Sequence, residues 1–475
     1  MSGLRLTNGT TTVVLDDPSL TQYAVMQYSP RSPEADATGA ESDADGGEIT
    51  NVRYKNVINE PCKVFFQNTL AGLQAVLGTI NALFEDARTG RLPVYLELKV
   101  DDGGPWWRSQ ILYGRATLNE QVFAPWQMGS NGYEPLTSYK WLLLDLEWTR
   151  RYYWEGAEAQ LELTNGNLSN THANLPVYNH DDGDTGGGHH DNWWTVAASA
   201  ITGDLPAPVR LQMLNSEPNA VDTVYLGRSS KANTYGTNLQ LESSAATVTG
   251  GSTVADSDSS GGSVADFGVI ATPQVVAQWT LSKALLTATA GQWYRVMMRL
   301  SNATPGTIEG LRSRISIVGN VTLLHRTQWV TAPDDPALTA FQLHDLGAVQ
   351  LPPGLINPAS PRQLTLQLEM MREVGTSVRL DFLYLMPMES ARTLVPKGYN
   401  TPNGTTLIDD GLSDLVYTFD GTDQLPNYIG YGGPLMIEPG RRNTYYALFD
   451  NDLGASEPNR FLMVKMFYRP RRLLI

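Results

Sequence analysis

The sequence predicts an all-β protein of tandem β-sandwiches with a single helix, and three observations carry this prediction. Most apolar residues lie in short runs that either alternate with polar residues or are wholly apolar, as in half-buried and fully buried strands. Turn formers are plentiful, with 43 glycines and 28 prolines. At 475 residues the chain is also too long for one ordinary hydrophobic core, so more than one domain is expected.

The first predicted domain covers residues 1–165 and combines strands with the one helix. Strands are predicted at residues 93–100, 109–118, 140–149 and 159–165. From Gln67 to Asp86 the apolar spacing becomes helical, and Gly90 follows as a stop signal. The apolar stripe of this helix consists of Leu70, Leu73, Leu77, Ile80 and Phe84. Residues 32–48 carry six acidic and no basic side chains, so a solvated loop is expected there.

Three further regions follow the first domain. Residues 166–192 have the composition of a polar linker, rich in Gly, Asp, Asn and His. Residues 193–392 form a second strand-rich block, and residues 232–268 within it lack Lys, Arg and His, which predicts a long mobile loop. Residues 393–475 hold two strong strands and are predicted to close a sheet begun earlier. The second of these strands, residues 460–468, is apolar on both sides, which predicts a central strand buried on both faces.

The composition excludes several classes of function. A formal charge of −15 disfavours binding to nucleic acid or to an anionic membrane surface, and no apolar stretch is long enough for a membrane helix. Cys62 is the single cysteine, and the first residues lack the pattern of a signal peptide, so folding in the cytosol is expected. The nucleophile-elbow, phosphate-loop and metalloprotease motifs are absent. The sequence therefore predicts a protein that is not an enzyme and needs no cofactor.

The stretch HDDGDTGGGHHDNWW, residues 180–194, raises the question of a metal site. The residues that could bind zinc are His180, His189, His190 and Asp191. The residues that could bind calcium are Asp181, Asp182 and Asp184. Glycine occupies four of the six positions after Asp182, which would leave such ligands poorly held, so a metal-free polar hinge is the favoured interpretation. If an ion is held after all, the candidate ligands are Asp181, Asp182, Asp184 and His189.

The tryptophans raise the question of a glycan site. Aromatic rings offer flat apolar area with a polar edge, and a sugar site also needs hydrogen-bonding side chains beside an exposed ring. Trp279 and Trp293 lie in alternating apolar runs and are expected to be buried. Trp329, with Arg326 and Gln328 beside it, is therefore the candidate platform for a glycan.

The chain ends in RPRRLLI, which adds Arg469, Arg471 and Arg472 to an otherwise acidic protein. One interpretation is a solvated basic tip. The other is an interface element that docks onto an acidic neighbour, such as another copy of this chain, because opposite charges orient association. The sequence leaves both interpretations open.

Three passages share the features of one family. TRRYYWEGAEAQLELTN, residues 149–165, is an apolar strand that runs into an aromatic-Trp-Glu turn, and residues 179–215 contain a turn with Gly203, Asp204 and Pro206. In residues 436–475 a Pro-Gly turn leads to a final strand that ends near Arg-Pro-Arg. In these passages the chain resembles the distal tail (baseplate hub) and minor tail proteins of long-tailed phages. Residues 193–392 are similar to a carbohydrate-binding or galectin-like jelly roll, above all in the passage VRLDFLYLMP, residues 378–387, so a jelly-roll domain is expected there.

This resemblance implies a structural role in a virion. Proteins of this family form rings, usually sixfold, that join the tail tube to the adsorption apparatus. The expected partners are further copies of the chain in a hexameric ring, other phage tail proteins and, as a candidate, a host-surface glycan. The expected location is the tail tip of a virion, after synthesis in the host cytoplasm. The alternative is a glycan-binding adhesin or receptor-binding module.

Overall fold

The chain divides into two compact units, each built from segments that are distant in sequence. Unit 1 consists of Met1–Glu158, Gly203–Leu205 and Arg469–Ile475, and unit 2 consists of Ala159–Thr202 and Pro206–Tyr468. The computed structural model describes residues 3–16, 23–40, 48–68, 70–101, 103–118, 126–129, 132–135, 140–166, 172–182, 190–231, 239–268, 270–281, 292–302, 310–319, 322–332, 340–351, 364–372, 377–451 and 457–475.

The described residues in the first part of the chain form fourteen strands and one helix, α1 (Leu70–Thr89). The strands are β1 (Gly3–Thr7), β2 (Thr12–Val14), β3 (Tyr23–Gln27), β4 (Ala35–Ala40), β5 (Glu48–Tyr54), β6 (Val57–Asn68), β7 (Val94–Lys99), β8 (Trp106–Leu118), β9 (Trp126–Gly129), β10 (Gly132–Pro135), β11 (Lys140–Arg151), β12 (Trp154–Glu155), β13 (Ala159–Gln160) and β14 (Leu175–Tyr178).

Among its described residues, the rest of the chain adds strands and two short 3-10 helices, Ala198–Ala200 and Ser243–Ala245. The strands are β15 (Trp193–Val196), β16 (Ala207–Asn215), β17 (Val221–Ser229), β18 (Gln240–Glu242), β19 (Thr247–Val248), β20 (Gly251–Ala255), β21 (Ser263–Phe267), β22 (Gln274–Leu281), β23 (Trp293–Asn302), β24 (Arg312–Gly319), β25 (Thr322–Arg326), β26 (Val330–Thr331), β27 (Gln342–Gln350), β28 (Leu364–Met371), β29 (Val378–Pro387), β30 (Ser390–Pro396), β31 (Thr406–Asp410), β32 (Leu415–Phe419), β33 (Gln424–Leu425), β34 (Tyr428–Tyr431), β35 (Met436–Ile437), β36 (Asn443–Asn451), β37 (Phe461–Tyr468) and β38 (Arg471–Arg472).

Unit 1 is built on one antiparallel sheet with a helix packed on it. The main strands follow the order β2-β1-β7-β8-β11-β6-β3, and β12 pairs with both β8 and β38. Two hairpins, β4-β5 and β9-β10, form separate small sheets. Ile80, Leu83 and Phe84 of α1 share one core with Leu96 and Leu144 of the sheet. The apolar stripe of the helix therefore covers the apolar face of the sheet.

Helix α1 begins at Leu70, three residues after its predicted start at Gln67. The prediction was wrong there because Gln67 and Asn68 continue β6 and pair with β11. Ladder hydrogen bonds to a partner strand override the local helical spacing. At the other end Gly90 has φ +68, the left-handed conformation that commonly follows a helix.

Gly114 of β8 allows the helix to approach the sheet. A Cβ atom at this position would lie 2.4 Å from two ring carbons of Phe84, which is itself buried. A larger residue at position 114 would therefore have to push the helix away from the sheet.

The acidic residues 32–48 are in part a hairpin, which corrects the prediction of a solvated loop. Strands β4 and β5 pair from Ala35 opposite Tyr54 to Ala40 opposite Glu48, and residues 41–47 lie outside the described residues. Most of β5 lies beyond the acidic segment, so the composition of that segment could not reveal its pairing partner.

The first sandwich of unit 2 combines strands from both ends of its sequence. One sheet has the order β13-β37-β16-β31-β32-β33, with β14 also paired to β37 and β35 to β16. The other has the order β15-β36-β17-β30-β34. Leu211 and Val464 from the first sheet share a core with Val224 and Ala447 from the second.

The second sandwich of unit 2 is formed by the strands between β18 and β29. One sheet has the order β20-β21-β29-β23-β27, with β18 also paired to β29. The other has the order β19-β22-β28-β24-β25, with β26 paired to β24. Val296 and Phe382 from the first sheet share a core with Ile315 and Leu366 from the second.

Strand β36 is buried on both faces and contributes to both cores of unit 2. Tyr445 and Ala447 lie in the core of the first sandwich, and Tyr446 and Leu448 lie in the core of the second. From the sequence, residues 460–468 were instead predicted to form the strand that is buried on both faces. Strand β37 is central, but its alternate residues are only partly buried or exposed. Apolar content alone does not show whether a second layer covers a strand.

The structure therefore divides the chain differently from the predicted domains. Strands β16 and β17, assigned by sequence to a domain at residues 193–392, pair with β31, β37, β30 and β36. The strands of residues 393–468 thus complete both sheets of the first sandwich. Local periodicity cannot predict which strands pair when they are separated by such long stretches of sequence.

Residues 239–268 contain four strands and a 3-10 helix, which corrects the prediction of a mobile loop at 232–268. Strands β18 to β21 lie here, and Val264 and Phe267 are fully buried. At Gly251 a Cβ atom would lie 2.6 Å from the Phe267 ring, so a small residue suits this close packing. Residues 232–238 lie outside the described part of the chain.

The predicted class, an all-β chain of tandem sandwiches with one helix, is confirmed. The described strands are arranged in antiparallel sheets, as hydrophobic alternation and frequent turn residues indicate. Among the residues that the structure describes, no helix is both long and apolar enough to span a membrane.

Candidate functional site

Strand β38, in the arginine-rich C-terminus, pairs with strand β12 within unit 1. Nε and Nη2 of Arg471 donate to Oε1 of Glu155 at 3.0 and 2.8 Å. The Arg471 guanidinium also lies 4.1 Å from the centre of the Tyr153 ring. Residues 149–165 and 436–475, two of the passages on which the family resemblance rests, therefore contact each other here.

The other two arginines of the C-terminus are engaged in a similar way. Arg469 lies 3.9 Å from Glu158, and burial, together with nearby Arg108, lowers the pKa of its guanidinium. The guanidinium of Arg472 lies 4.6 Å from the centre of the Trp107 ring. The structure thus corrects the interpretation of a solvated tip, and it places acidic partners of Arg469 and Arg471 in the same chain.

A buried charge network lies in the same unit. Glu60 and Arg150 have no exposed surface, and Nη2 of Arg150 lies 2.7 Å from Oε1 of Glu60. Glu60 also accepts hydrogen bonds from the Tyr28 hydroxyl at 2.9 Å, the Trp148 indole N–H at 3.2 Å and the backbone N–H of Arg31 at 2.7 Å. A charge removed from water is tolerated when it is paired and hydrogen-bonded in this way. The sequence did not reveal this network, because its members come from three parts of the chain: residues 28–31, strand β6 and strand β11.

The histidine-rich segment gathers His180, Asp182 and His190 in unit 2. One possible ligand atom from each residue lies within 4.8 Å of the other two. Nε2 of His180 is 3.3 Å from Nδ1 of His190, and the backbone N–H of His190 donates to Asp182 at 2.9 Å. Burial lowers the pKa of His180 to about 4, so this imidazole is neutral at pH 7.

Backbone hydrogen bonds fix the two chain segments that carry this cluster. The backbone N–H of Asp182 donates to the carbonyl oxygen of His190 at 3.2 Å. Nδ1 of His180 lies 2.8 Å from the carbonyl oxygen of Pro458. Because a carbonyl oxygen can only accept, Nδ1 of His180 carries the proton and its Nε2 presents a lone pair towards His190.

The cluster differs from both metal sites that the sequence suggested. It combines His180 and His190 from the zinc interpretation with Asp182 from the calcium interpretation. Asp184 and His189 lie outside the described residues. Side-chain proximity depends on how the two segments pair, and residue spacing does not encode that pairing.

Residues 166–192 are more than a polar linker, which corrects that prediction. Strand β14 lies within them and pairs with β37, and its Leu175 and Val177 are fully buried. Asp181 is also buried, and its backbone N–H donates to the Gln240 side chain at 3.0 Å. The segment therefore belongs to the first sandwich of unit 2.

One face of the predicted glycan platform is occupied by the protein itself. The guanidinium of Arg314 lies 4.2 Å from the centre of the Trp329 ring. Arg326, expected to face a ligand, forms an ion pair with Glu369 at 3.0 Å. Gln328 is exposed. The three candidate residues do lie near one another, but two of them are engaged within the protein.

Trp279 and Trp293, which were both expected to be buried, have different surroundings. Trp279 is buried as expected, and its indole N–H donates to the carbonyl oxygen of Glu242 at 2.7 Å. Trp293 was expected to be buried, but it is 47% exposed. Trp293 is the first residue of β23, at the edge of the core. Apolar alternation within a strand does not show at which residue its burial begins.

Sequence analysis also missed a pair of carboxyl groups in the second sandwich. Oγ of Ser260 lies 2.8 Å from Oε1 of Glu242 and 3.1 Å from Oδ1 of Asp381. Arg299 forms an ion pair with Asp381, whose pKa is raised by burial. Burial and the nearby charge of Asp381 raise the pKa of Glu242 to about 7. Nothing in the sequence pointed to either residue.

Comparison with known proteins gives weak structural likenesses only. No protein-family model matches the sequence, and no curated protein matches it either. The SPP1 Dit (gp 19.1) protein, described as a paradigm of the hub adsorption apparatus in phages that infect Gram-positive bacteria, is 9% identical over 98% of each chain, with a TM-score of 0.32. A chain of the phage P2 baseplate, in its activated conformation with Ca, is 9% identical over 100% of this chain and 99% of that chain, with a TM-score of 0.30.

A third likeness is to a virus of another kind. The structure of the infectious bursal disease virus Gx strain is 10% identical over 67% of this chain and 81% of that chain, with a TM-score of 0.17. TM-scores as low as these do not establish a shared fold. No residue role or assembly is therefore carried over from these three structures.

Proposed function

We propose that this chain is a structural protein of a phage tail tip whose copies form a ring, hexameric as in the family it resembles, between the tail tube and the adsorption apparatus. The supporting observation is the pairing of β12 with β38, which joins residues 149–165 to residues 436–475. The sequence resemblance implies that the C-terminal strands close the structure, and this pairing is consistent with that expectation. The proposed partners are other tail proteins, the proposed location is the virion, and the proposed role is not catalytic.

The edges of the sheet in unit 1 are suited to such an assembly. Among the described residues, β2 pairs with β1 alone and β3 pairs with β6 alone, so the sheet ends at these two strands. Unpaired edge strands readily add a neighbouring strand. Two unlike edges that meet head to tail generate a ring when the rotation between copies closes. Val14 of β2 is apolar and 41% exposed, which is consistent with a contact there.

Electron microscopy and light scattering of the full-length protein test the proposal. We expect ring particles of six copies, and we expect Val14→Asp to reduce the assembly to monomers because a charge would be buried at the contact. Leu415→Asp is the matched control, since Leu415 is an apolar residue of unit 2 that is 59% exposed. This control should still form rings.

Purified virions of the encoding phage provide the second test, because some assemblies form only on their neighbours. Antibody labelling should place the chain at the tail tip. A chain that is absent from virions, or monomeric within them, contradicts the proposal. A glycan-binding role is less well supported, because Arg314 covers one face of Trp329.

A further inference from the structure

We propose that His180, Asp182 and His190 bind one divalent transition-metal ion of the zinc class. The ligand atoms would be Nε2 of His180, Nδ1 of His190 and a carboxylate oxygen of Asp182. Such an ion would tie together the two segments of unit 2, residues 178–182 and 190–192, that flank the glycine-rich stretch. This inference does not depend on the proposed function in a virion.

The separation of the two imidazole nitrogens fits a shared ion. Zinc binds histidine nitrogen at about 2.0–2.1 Å with tetrahedral angles, which places two such nitrogens about 3.3–3.4 Å apart. Nε2 of His180 and Nδ1 of His190 are 3.3 Å apart. A carboxylate oxygen of Asp182 lies within 4.8 Å of a ring nitrogen of each histidine, and rotation about the torsions of this short side chain would bring it to ligand distance.

The surroundings of the two histidines also match those of metal ligands. A ligating histidine usually donates its other ring N–H to a carbonyl or carboxylate, which fixes the tautomer and the orientation of the ring. His180 does so towards the carbonyl oxygen of Pro458 at 2.8 Å. The ring of His190 packs against the ring of Tyr178, with their centres 4.2 Å apart. Both imidazoles are therefore held in place before an ion arrives.

The donor atoms select the class of ion. Two imidazoles and one carboxylate suit zinc, cobalt, nickel and copper, whereas calcium and magnesium require mostly oxygen ligands. Asp181 and Asp182 line a cavity of about 410 Å³, which is a route to Asp182, one of the three proposed ligands. Carboxylates along this route attract a cation electrostatically.

The same nitrogen separation also allows an arrangement without metal. In that arrangement Nδ1–H of His190 donates a hydrogen bond to Nε2 of His180. Metal binding requires that the proton of His190 move to its Nε2, so that both facing nitrogens present lone pairs. The two arrangements therefore differ in metal affinity, which can be measured directly.

Titration of the full-length, chelator-stripped protein with Co²⁺ and Zn²⁺ tests the proposal. We expect one Co²⁺ per chain with visible absorption typical of a tetrahedral site, displacement of Co²⁺ by Zn²⁺, and a thermal transition of unit 2 that rises by several degrees with Zn²⁺. Equal concentrations of Ca²⁺ or Mg²⁺ should give no such rise. Absence of Co²⁺ and Zn²⁺ binding would overturn the proposal.

His190→Gln is the decisive variant, because His190 is only half-buried and its replacement should leave the fold intact. We expect the affinity for Zn²⁺ to fall at least about tenfold, because the loss of even an outer-shell partner of a ligand costs about 10–100-fold in metal affinity. His172→Gln is the matched control, since this half-buried histidine lies outside the cluster, and its affinity should equal that of the unaltered chain. Equal Zn²⁺ affinity in His190→Gln and the unaltered chain would show that the ion binds elsewhere, and the proposal would be wrong.

Discussion

Each unit holds a glutamate near an arginine, fully buried at Glu60 and partly buried at Glu242, and the two carboxyl groups have different surroundings. In unit 1, Glu60 accepts hydrogen bonds from Arg150, Tyr28, Trp148 and a backbone N–H. In unit 2, Oε1 of Glu242 accepts hydrogen bonds from side chains, but its buried Oε2 has no hydrogen-bond partner among the described residues. Arg299, the nearby cation, forms its ion pair with Asp381 instead.

The difference shows that burial alone does not decide how a carboxyl group affects folding. Burial disfavours the charged form, while hydrogen bonds from donors and a paired cation favour it. Glu60 has such donors around both oxygens. Glu242 lacks a donor for one oxygen and lies near the charge of Asp381, and its pKa is about 7. We therefore expect removal of donors to destabilise unit 1 and removal of the charge to stabilise unit 2.

Arg150→Met should have the largest effect of these changes. It leaves the buried Glu60 carboxylate without its paired cation, and breaking a buried ion pair in this way costs about 3–5 kcal/mol. Hydrogen exchange in peptides of unit 1 measures the loss of stability for that unit alone.

Arg115→Met is the matched control for that experiment. Arg115 forms its ion pair with Glu147 at the surface of the same sheet, with side chains 66% and 49% exposed. Exposed pairs contribute about 1 kcal/mol or less. Equal losses in both variants would contradict the assignment of Glu60 and Arg150 as a buried network.

Glu242→Gln should stabilise unit 2 at pH 8 by about 3 kcal/mol, since each unit by which a pKa is raised corresponds to about 1.4 kcal/mol. The pKa of Glu242 is raised from 4.5 to about 7 in the folded chain. Between these values the folded state holds a proton that the unfolded state has released, so stability falls as the pH rises. The glutamine retains the oxygen that accepts from Gln240 and Ser260, but it carries no charge.

Urea unfolding of unit 2 at pH 5 and pH 8 measures this effect. The unaltered chain should lose more stability between these two pH values than Glu242→Gln does. Glu162→Gln, which alters an exposed glutamate of the same unit, should follow the unaltered chain. A pH dependence that is identical in all three proteins would show that Glu242 does not titrate in this range.

Tyr28→Phe should have the smallest effect, a destabilisation of unit 1 by about 1 kcal/mol. The substitution removes a single hydrogen bond of 2.9 Å to Glu60 and leaves the other donors in place. Tyr113→Phe is the control, because Tyr113 is 50% exposed on the same unit. Hydrogen exchange should show a loss in the first variant and none in the second; a loss as large as that of Arg150→Met would mean that the donors do not contribute separately.

Local sequence patterns determined the class of the fold and several of its elements. The stripe that includes Ile80 and Phe84 predicted α1, and alternation at residues 93–100 and 140–149 predicted β7 and β11. These predictions succeeded because helices and strands repeat every 3.6 and 2 residues, so that a buried face leaves a periodic apolar pattern in the chain. The resemblance at residues 149–165 and 436–475 likewise came from the sequence.

Only the tertiary structure decided which distant segments meet. It paired β16 with β37, covered β36 on both faces, and turned the C-terminal Arg471 towards Glu155 of the same chain. It also brought together His180 and His190, which the sequence suggested as zinc ligands, and Asp182, which the sequence suggested as a calcium ligand. Periodicity records whether a residue faces a core, but not which strand lies opposite. Strand pairing and side-chain clusters depend on how the whole chain closes its sheets, and that closure depends on interactions between residues far apart in sequence.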